Sequence, residues 1–303
     1  MAVVATGFFD GVHLGHQKVL KTLVSSARMK GEEAIVVTFD AHPRAVLQQD
    51  APALRLLSSS EEKLELLHRS GVDRVEVIPF TKEFAALSAR EYIETILIGR
   101  FGASSLVLGY DNSLGSDLMD PLEISALSKS LRLEVEIVPA YYLDETTVVS
   151  STKIRSALRE GDVSMAARML GYDYSLSGLV VSGKQLGRTI GFPTANMALS
   201  YPLKLIPARG VYLSRVKTLG REFYGMTNIG DVIETNIFDF NESIYGLDLT
   251  ISLCQRMRDM QKMSSLEELK TRLDEDRSRA NRLISDERLR YQDSNLGRQN
   301  QNL

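Results

Sequence analysis

The chain is poor in cysteine, tryptophan and histidine. Its 303 residues include one cysteine, no tryptophan and four histidines. A single cysteine excludes an internal disulfide, and so few histidine and cysteine side chains leave little material for a zinc site. Cys254 lies in the strand-like run 247–254, so we expect it to be a small buried side chain.

An excess of charge of one sign and long apolar runs are also missing. The net charge is −3, so no general positive field favours nucleic acid as a partner. No stretch reaches the ~18 consecutive apolar residues of a membrane span, and we find no signal-peptide pattern. With an ordinary apolar fraction of 44%, the sequence predicts a cytoplasmic, two-domain enzyme that acts on small molecules. It leaves the oligomeric state open.

The first half of the chain alternates between strand and helix patterns. Helical patterns at 60–70 and 89–100 separate some of the strands. The alternation predicts an α/β fold with a parallel sheet, whose ligands lie beyond the carboxyl ends of the strands. The predicted strands are 3–6, 34–39, 75–80, 104–109 and 135–138. The polar residues that follow strand ends, and that we expect to converge, are Asp10, His13, His42 and Asp111.

The second half has a different pattern of predicted secondary structure. After a helix-rich connector at 151–170, short β-like segments alternate with glycine turns, which predicts a small antiparallel barrel. Its predicted strands are 176–182, 210–217, 223–229, 234–239 and 247–254. The chain then returns to helix, with Ser264 and Glu267 at the spacing of a capping box. We therefore predict domains at 1–172 and 173–290, and a disordered polar tail at 291–303.

The most informative motif is Gly-Phe-Phe-Asp-Gly-Val-His-Leu-Gly-His at residues 7–16. It stands between a predicted strand and a predicted helix, where free backbone N–H groups and the positive end of the helix dipole face an anion. His13 and His16 share one face of the first helical turn and can donate hydrogen bonds to phosphate oxygens. The motif predicts a phosphate-binding turn. The alternative is a surface turn with two solvated histidines.

Three further segments of the first half offer candidate ligands. Ser-Ser-Thr-Lys-Ile-Arg at 150–155 places hydroxyls and cations at a helix start, where positive charge opposes the dipole and an anion would offset it. Asp111 is suited to accept a hydrogen bond from a ribose hydroxyl or an adenine amine, or else forms an Asx turn. His42 either contacts a ligand or caps the end of its strand.

In the second half, a glycine-rich loop precedes an extended segment. Glycines at 183, 187 and 191 allow the backbone to approach a ligand closely. Thr194 and Asn196 then lie on one face, where a hydroxyl and an amide oxygen suit Mg²⁺ and phosphate. The alternative is a flexible loop of the barrel.

The strand-like run 234–240 contributes an acidic residue. If Glu234 lies on the face that looks into the barrel, it can act as a general base for a hydroxyl; otherwise it is an exposed edge residue. Arg256 and Arg258 can bind phosphate or stack on an aromatic ligand, or form a surface pair.

Taken together, these motifs resemble the bacterial bifunctional riboflavin kinase/FMN adenylyltransferase (FAD synthetase) family. The resemblance covers about residues 3–285 and follows the order of the family's motifs. The six matching segments are 7–16, Thr-Phe-Asp-Ala-His-Pro at 38–43, Gly-Tyr-Asp at 109–111, 150–155, Gly-Arg-Thr-Ile-Gly-Phe-Pro-Thr-Ala-Asn at 187–196, and Glu-Thr-Asn-Ile-Phe-Asp-Phe at 234–240.

The resemblance implies two reactions with ATP as co-substrate and Mg²⁺ as cofactor. The carboxyl-terminal barrel would phosphorylate riboflavin to FMN, with Glu234 as the base and Thr194 and Asn196 holding the metal. An amino-terminal Rossmann-like nucleotidyltransferase domain would adenylylate FMN to FAD, with His13 and His16 stabilising the α-phosphate. The residues expected to bind ATP or phosphate are Gly7, Asp10, Gly15, Asp111, Ser151, Thr152, Arg155, Gly183, Gly187, Gly191 and Asn196. Those expected to bind flavin are His42, Arg256 and Arg258.

The sequence departs from the family pattern in the second half. Relatives usually carry an Arg-Pro-Thr loop after the Asn-Ile-Gly segment, but here Gly230 passes directly through 231–233 to Glu234. Relatives often have histidine where Asn236 stands and an aromatic residue where Asn112 stands. Two alternatives therefore remain: a single-activity FMN adenylyltransferase with a degenerate kinase domain, and a non-catalytic flavin- or nucleotide-binding protein.

Overall fold

The structure is a computed structural model that describes residues 1–47, 54–183 and 186–299. The chain divides into two compact units. The first consists of Met1–Ser156, Arg168–Tyr172 and Leu203–Leu205, and the second of Ala157–Ala167, Asp173–Pro202 and Ile206–Leu303. Each unit therefore contains residues from both sides of the predicted boundary at 172/173.

The first unit is built on a parallel sheet, as the sequence predicted. The strands lie in the order β3-β2-β1-β4-β5 and all pair in parallel. They are β1 Ala2–Thr6, β2 Glu33–Phe39, β3 Arg74–Ile78, β4 Ala103–Gly109 and β5 Glu134–Val138. The continuous apolar runs of β1 and β2 are buried on both faces, as expected for central parallel strands. The strand order reverses between β1 and β4, so a ligand crevice is expected there.

Helices join these strands and cover the sheet. The first, α1, begins after the N-cap His13 and packs Val19, Leu20 and Leu23 against the sheet, as their spacing predicted. Gly31, with φ of 65°, ends α1 in the left-handed conformation that glycine favours. The helices are α1 Leu14–Lys30, α2 Pro43–Leu47, α3 Ser60–Arg69, α4 Lys82–Ala85, α5 Ala89–Glu91, α6 Pro121–Ser130, α7 Ser151–Glu160 and α8 Val163–Leu170.

The helix predicted at 89–100 has an unusual form. After α5, the segment Tyr92–Ile98 is a π-helix. Its first residue, Tyr92, is buried, and its hydroxyl lies 2.7 Å from Thr6 Oγ1 at the end of β1. A widened helical turn of this kind is rare and often occurs at functional sites. Hydrophobic periodicity predicted the helix but not its winding.

The second unit contains a closed antiparallel barrel, which confirms the predicted second fold. Its strand order is β10-β7-β6-β11-β8-β9. The elements are β6 Ser175–Val181, α9 Leu186–Thr189, β7 Ala195–Leu199, β8 Gly210–Thr218, β9 Arg221–Ile229, β10 Ile233–Ile237 and β11 Asp248–Arg258. Five of the six strands were predicted. The sequence identified only an extended segment at the start of β7, since that strand is short and follows the glycine-rich loop.

A row of hydroxyl groups marks the inside of the barrel. Ser214 Oγ lies 2.8 Å from Thr227 Oγ1, which lies 3.0 Å from Thr235 Oγ1, and all three residues are fully buried. Because successive residues of a strand point to opposite faces, Glu234 and Asn236 lie on the outer face. Of the two possible orientations of Glu234, the structure therefore has the one that faces away from the barrel interior, and its role as a base stays a prediction.

The carboxyl-terminal helix α10 spans Leu266–Gln299. Its N-cap is Ser265, whose Oγ accepts a hydrogen bond from Glu268 N at 3.1 Å, so the cap lies one residue later than the predicted Ser264/Glu267 pair. The backbone stays helical to Gln299, where the sequence predicted a disordered tail from residue 291; without proline, a formed helix propagates through polar residues. Residues 300–303 lie outside the described residues. Of the helices described, none is both long and apolar enough to cross a bilayer.

A buried ion pair and an apolar contact attach α10 to the barrel. Arg258 Nε and Nη2 donate to the Asp276 carboxylate at 2.7–3.0 Å, and both side chains are almost fully buried. Beside this pair, Ala280 and Ile284 pack against Met226 and other apolar residues of the outer face. The helix therefore covers the face of the barrel on which Glu234 lies.

We expect Asp276→Ala to destabilise the second unit by about 3 kcal/mol, because Arg258 is then left as an unpaired buried cation. Urea unfolding followed by circular dichroism measures this loss. The matched control is Asp231→Ala, which removes an exposed partner of Arg209 and should change stability by no more than about 0.5 kcal/mol. Equal effects of the two substitutions would contradict the anchoring role.

Candidate active sites

The turn between β1 and α1 has an unusual backbone. Phe9, Gly11 and Val12 have positive φ angles of 57°, 74° and 36°. Only glycine adopts this region freely, so the two other residues are strained and need support from their surroundings. Ser58 Oγ accepts a hydrogen bond from Gly11 N at 3.1 Å, and the Tyr172 hydroxyl donates to Gly11 O at 2.6 Å. Strain held in this way is common at functional sites.

Asp10 is the main support of this turn. Its Oδ2 accepts a hydrogen bond from Arg155 Nη1 at 2.6 Å, and its Oδ1 accepts from Leu57 N and Ser58 N at 2.9 and 3.3 Å. Ser151 Oγ donates to the backbone carbonyl of Asp10 at 3.1 Å. Burial raises the pKa of Asp10, and the charge of Arg155 opposes that rise. The anion that offsets Arg155 is thus a carboxylate of the protein.

His13 and His16 form a stacked pair at the start of α1. Their ring centroids are 3.6 Å apart with the planes inclined by 16°. His13 Nδ1 accepts a hydrogen bond from His16 N at 3.3 Å, so the neutral ring carries its proton on Nε2. Burial and then the charge of Arg155 lower the pKa of His13 to about 4, and burial and then His13 lower that of His16. Both imidazoles are therefore neutral hydrogen-bond donors near neutral pH.

A cavity of ≈ 220 Å³, which we call the histidine cavity, lies beside this pair. It opens at the carboxyl ends of β4 and β5 and at the N-terminus of α7, where free N–H groups favour an anion. The predicted site residues that line it are His13, Gly15, His16, Asp111, Ser151 and Thr152. Neither Asp10 nor Arg155 is among the described residues of its wall, and the phosphate contacts predicted for these two residues stay predictions.

A second cavity of ≈ 450 Å³, the aromatic cavity, lies at the same edge of the sheet. The predicted residues Gly7 and His42 line it, and Asp111 lines both cavities. Five aromatic residues also line it: Phe8, Phe39, Phe80, Phe84 and Tyr92. The sequence analysis missed this cluster, although Phe39 and Phe80 end predicted strands and could have indicated an aromatic ligand there.

His42 lies in a positive electrostatic environment. Its ring meets Phe8 edge to face at 4.6 Å, and its Nδ1 accepts a hydrogen bond from Arg44 N at 3.1 Å. Burial, and then the charges of Arg155, Arg44 and Lys63, lower its pKa to about 4. A field of this sign favours an anion close to His42.

The barrel has a cavity of its own, of ≈ 390 Å³. Thr194 lines this barrel cavity together with Arg188, Thr235 and Tyr245. The predicted glycine loop lies nearby in sequence, although its residues 184 and 185 lie outside the described residues. The loop ends at Gly191, whose φ of 87° requires glycine. Gly187 packs so closely that a Cβ there would lie 2.2 Å from Phe192 O.

Polar side chains gather on the outer face of the barrel next to Glu234. Asn196 and Asn228 pair directly with Glu234 on the two neighbouring strands, so the three side chains share one face. A Cβ on Gly183 would lie 2.2 Å from Asn196 Nδ2, which explains a glycine at that position. Asn236 Nδ2 donates to Pro193 O at 2.8 Å, but Oδ1 of Asn236 and Oδ1 of Asn228 are buried without a hydrogen-bond partner. Such atoms indicate a ligand.

The two arginines predicted to bind flavin differ in their contacts. Arg258 bonds through Nε and Nη2 to Asp276 and through Nη1 to Asp259 O at 3.0 Å, so it anchors α10, and its predicted flavin contact stays a prediction. Arg256 Nη2 donates to Arg209 O at 2.7 Å and lies 2.9 Å from Asp259 Oδ1. Its flavin contact stays a prediction.

Comparisons with known proteins match both halves of the chain to known families. The family model for FAD synthetase matches residues 1–153, and the model for riboflavin kinase matches residues 170–284. Two proteins named bifunctional riboflavin kinase/FMN adenylyltransferase are similar along most of the chain. The relative from Bacillus subtilis is 34% identical, covering 94% of this chain and 93% of its own, and that from Listeria monocytogenes is 37% identical, covering 90% of each.

The chain belongs to the bifunctional riboflavin kinase/FMN adenylyltransferase family. The resemblance inferred from the six motifs is thereby confirmed. A crystal structure described as a macrolide-efflux protein from Streptococcus pneumoniae is also similar, with a TM-score of 0.87 and 34% identity, covering 92% of this chain and 93% of that one. In the present chain, the short turn 230–232 joins strands β9 and β10. Gly230 N closes this turn by donating a hydrogen bond to Val232 O at 3.1 Å.

We expect His13 and His42 to stay neutral down to about pH 4 in the folded protein. Because an unfolded imidazole binds its proton at about pH 6.5, the unfolded state takes up protons first and stability should fall as pH drops between these values. Long-range ¹H–¹⁵N NMR of the imidazole rings checks both the titration and the Nε2 tautomer of His13, with exposed His68 as the assignment reference. Protonation of His13 above about pH 6 would contradict the assigned environment.

Proposed function

We propose that this chain makes FAD from riboflavin in two steps that each consume ATP. The barrel site transfers the γ-phosphoryl group of ATP to riboflavin and gives FMN. The sheet site then joins FMN to the AMP part of a second ATP and releases pyrophosphate. One observation carries the proposal: a polar cavity with two neutral histidines adjoins an aromatic cavity, and Asp111 lines both.

At the sheet site, the aromatic cavity suits the flavin ring and the histidine cavity suits ATP. Aromatic walls bind a planar ring by edge and face contacts. A phosphate oxygen of FMN attacks the α-phosphorus of ATP, and the bond to pyrophosphate breaks. No protein nucleophile is needed, because the phosphate of FMN is itself the nucleophile and catalysis depends on alignment and charge stabilisation.

The residues around the histidine cavity supply that stabilisation. His13 Nε2–H, the hydroxyls of Ser151 and Thr152 and the free N–H groups at the start of α7 are preorganised donors for the charge on the α-phosphate and the departing pyrophosphate. Arg155 acts indirectly, through its ion pair with Asp10. Neutral imidazoles suit this role, since they donate hydrogen bonds without first losing a hydration shell that a cation would hold.

At the barrel site, Glu234 is placed to act as general base. It would accept the proton of the 5′-hydroxyl of riboflavin while that oxygen attacks the γ-phosphorus and ADP leaves. The amide oxygens of Asn228 and Asn236, buried without partners on the same face, are acceptors for the hydroxyls of the ribityl chain. The side of the barrel covered by α10 is thus proposed as the flavin side.

The oxygen-rich character of this face also suits Mg²⁺. Thr194 and Asn196 would hold the ion, which neutralises phosphate charge during the transfer. Among the described residues there is no group of three or more histidine, cysteine or acidic side chains. That fits Mg²⁺, which is commonly held by one or two protein oxygens together with substrate phosphates and water.

The experiment that tests the function is the product profile with riboflavin, ATP and Mg²⁺. We expect FMN and FAD to appear in that order, with one pyrophosphate released per FAD. FAD formed only from added FMN would support the single-activity alternative, which the short turn 230–232 favours. Flavin binding without turnover would indicate a binding protein and overturn the proposal.

The two activities should separate by mutation. Glu234→Gln removes the base and should abolish FMN formation, while FAD formation from added FMN continues. His16→Ala should slow only FAD formation, by roughly 2–4 kcal/mol of barrier if the ring acts as a preorganised donor. Steady-state rates of each half-reaction, measured on one preparation, check both expectations.

Matched controls are available on exposed surfaces. Glu222→Gln on β9 and His68→Ala on α3 change the same residue types outside both sites and should leave both rates unchanged. Loss of both activities in a folded Glu234→Gln protein would disprove the assignment of separate sites.

A further inference from the structure

Three residues that lie between two barrel strands in sequence pack within the first unit. Leu203–Leu205 stand between β7 and β8 along the chain, but their contacts assign them to the unit of the parallel sheet. Leu56 N donates to Leu203 O at 2.8 Å, and Leu205 N donates to Leu56 O at 2.8 Å. Leu56 thus forms a parallel bridge with Lys204. The next two residues, Leu57 and Ser58, are those whose N–H groups hold Asp10.

The side chain of Lys204 is buried and paired at this bridge. The residue is 5% exposed, and its Nζ bonds to the carboxylate of Glu62. Glu62 Oε2 also accepts a hydrogen bond from Ser59 N at 2.8 Å, which closes the capping box of α3. Neither Lys204 nor Glu62 lines the described part of any cavity reported above. A role for Lys204 must therefore act through other residues.

Lys204 interacts electrostatically with Asp10. Arg155 pairs directly with Asp10, and both Lys204 and Lys63 interact with it favourably. Tyr172 and Glu62 are the other titratable groups near this carboxyl, and His13 interacts with Arg155. Burial raises the pKa of Asp10, whereas Arg155, then the hydrogen bonds from Leu57 N and Ser58 N, and then Lys204 lower it. Lys204 thus helps to keep Asp10 ionised, which the pair with Arg155 requires.

We propose that Lys204 is a positioning residue for FAD formation, which holds Asp10, and through it Arg155 and the His13 turn, in the reactive arrangement. The inference rests on the proposed adenylyl transfer at the sheet site. It means that this reaction depends on a residue outside the segment 1–153 matched by the FAD synthetase model. The kinase reaction has no such dependence on the charge of Lys204.

The test compares Lys204→Met with the double variant Lys204→Met/Glu62→Gln in the full-length protein. Removing the lysine charge raises the pKa of Asp10, so the acid limb of the kcat profile for FAD formation should move to higher pH in both variants. KM for FMN and the kinase rate should stay within about twofold of wild type, since a positioning residue touches no substrate. The double variant should regain thermal stability, because Glu62 is no longer an unpaired buried charge.

The control is Lys21→Met, which removes an exposed lysine of α1 and should leave the profile unchanged. A double variant with the acid limb of wild type would overturn the proposal, because Lys204 would then matter only as the partner of Glu62. An unchanged pH profile in both variants would also overturn the proposal. Failure of the wild-type protein to form FAD from FMN would instead contradict the proposed function itself, so the two failures are distinguishable.

Discussion

The buried pair of Asp10 and Arg155 is the interaction on which the sheet site depends. One carboxylate connects the strained turn after β1, the backbone at Leu57 and Ser58, and the first turn of α7. A buried charge is tolerated only when its lone pairs are occupied, and here an ion pair and two backbone N–H groups occupy them. The arrangement fixes the position of the His13 turn relative to the start of α7.

Both candidate sites consist mainly of neutral polar groups, since an unpaired buried ion would destabilise the fold. At the sheet site, burial and Arg155 keep His13 neutral, so donors and not cations face the ligand. At the barrel site, amide oxygens without partners surround a single carboxylate, Glu234. Phosphoryl and nucleotidyl transfer require alignment and preorganised donors more than a protein nucleophile, and both arrangements fit that requirement.

The barrel carries two sets of polar side chains, one inside and one on its outer face. The hydroxyl row Ser214–Thr227–Thr235 is inside, where its members bond to one another, and Thr235 also lines the barrel cavity. The outer face carries the carboxylate and the unpartnered amides, and α10 covers that face through Arg258 and Asp276. An arginine that the sequence suggested as a flavin ligand therefore shapes the site by holding the helix.

The sequence by itself determined the classes of structure and the family. Apolar runs and helical spacing predicted all five strands of the sheet, and the six motifs in order identified the family, because periodicity and motif spacing are local properties of the chain. Only the tertiary structure decided which face of β10 Glu234 occupies. It also decided that Asp10 forms an ion pair with Arg155. It alone brought Phe39, Phe80 and Tyr92 together and placed Lys204 beside Glu62. These outcomes depend on strand register and on contacts between residues far apart in the chain, which no local pattern encodes.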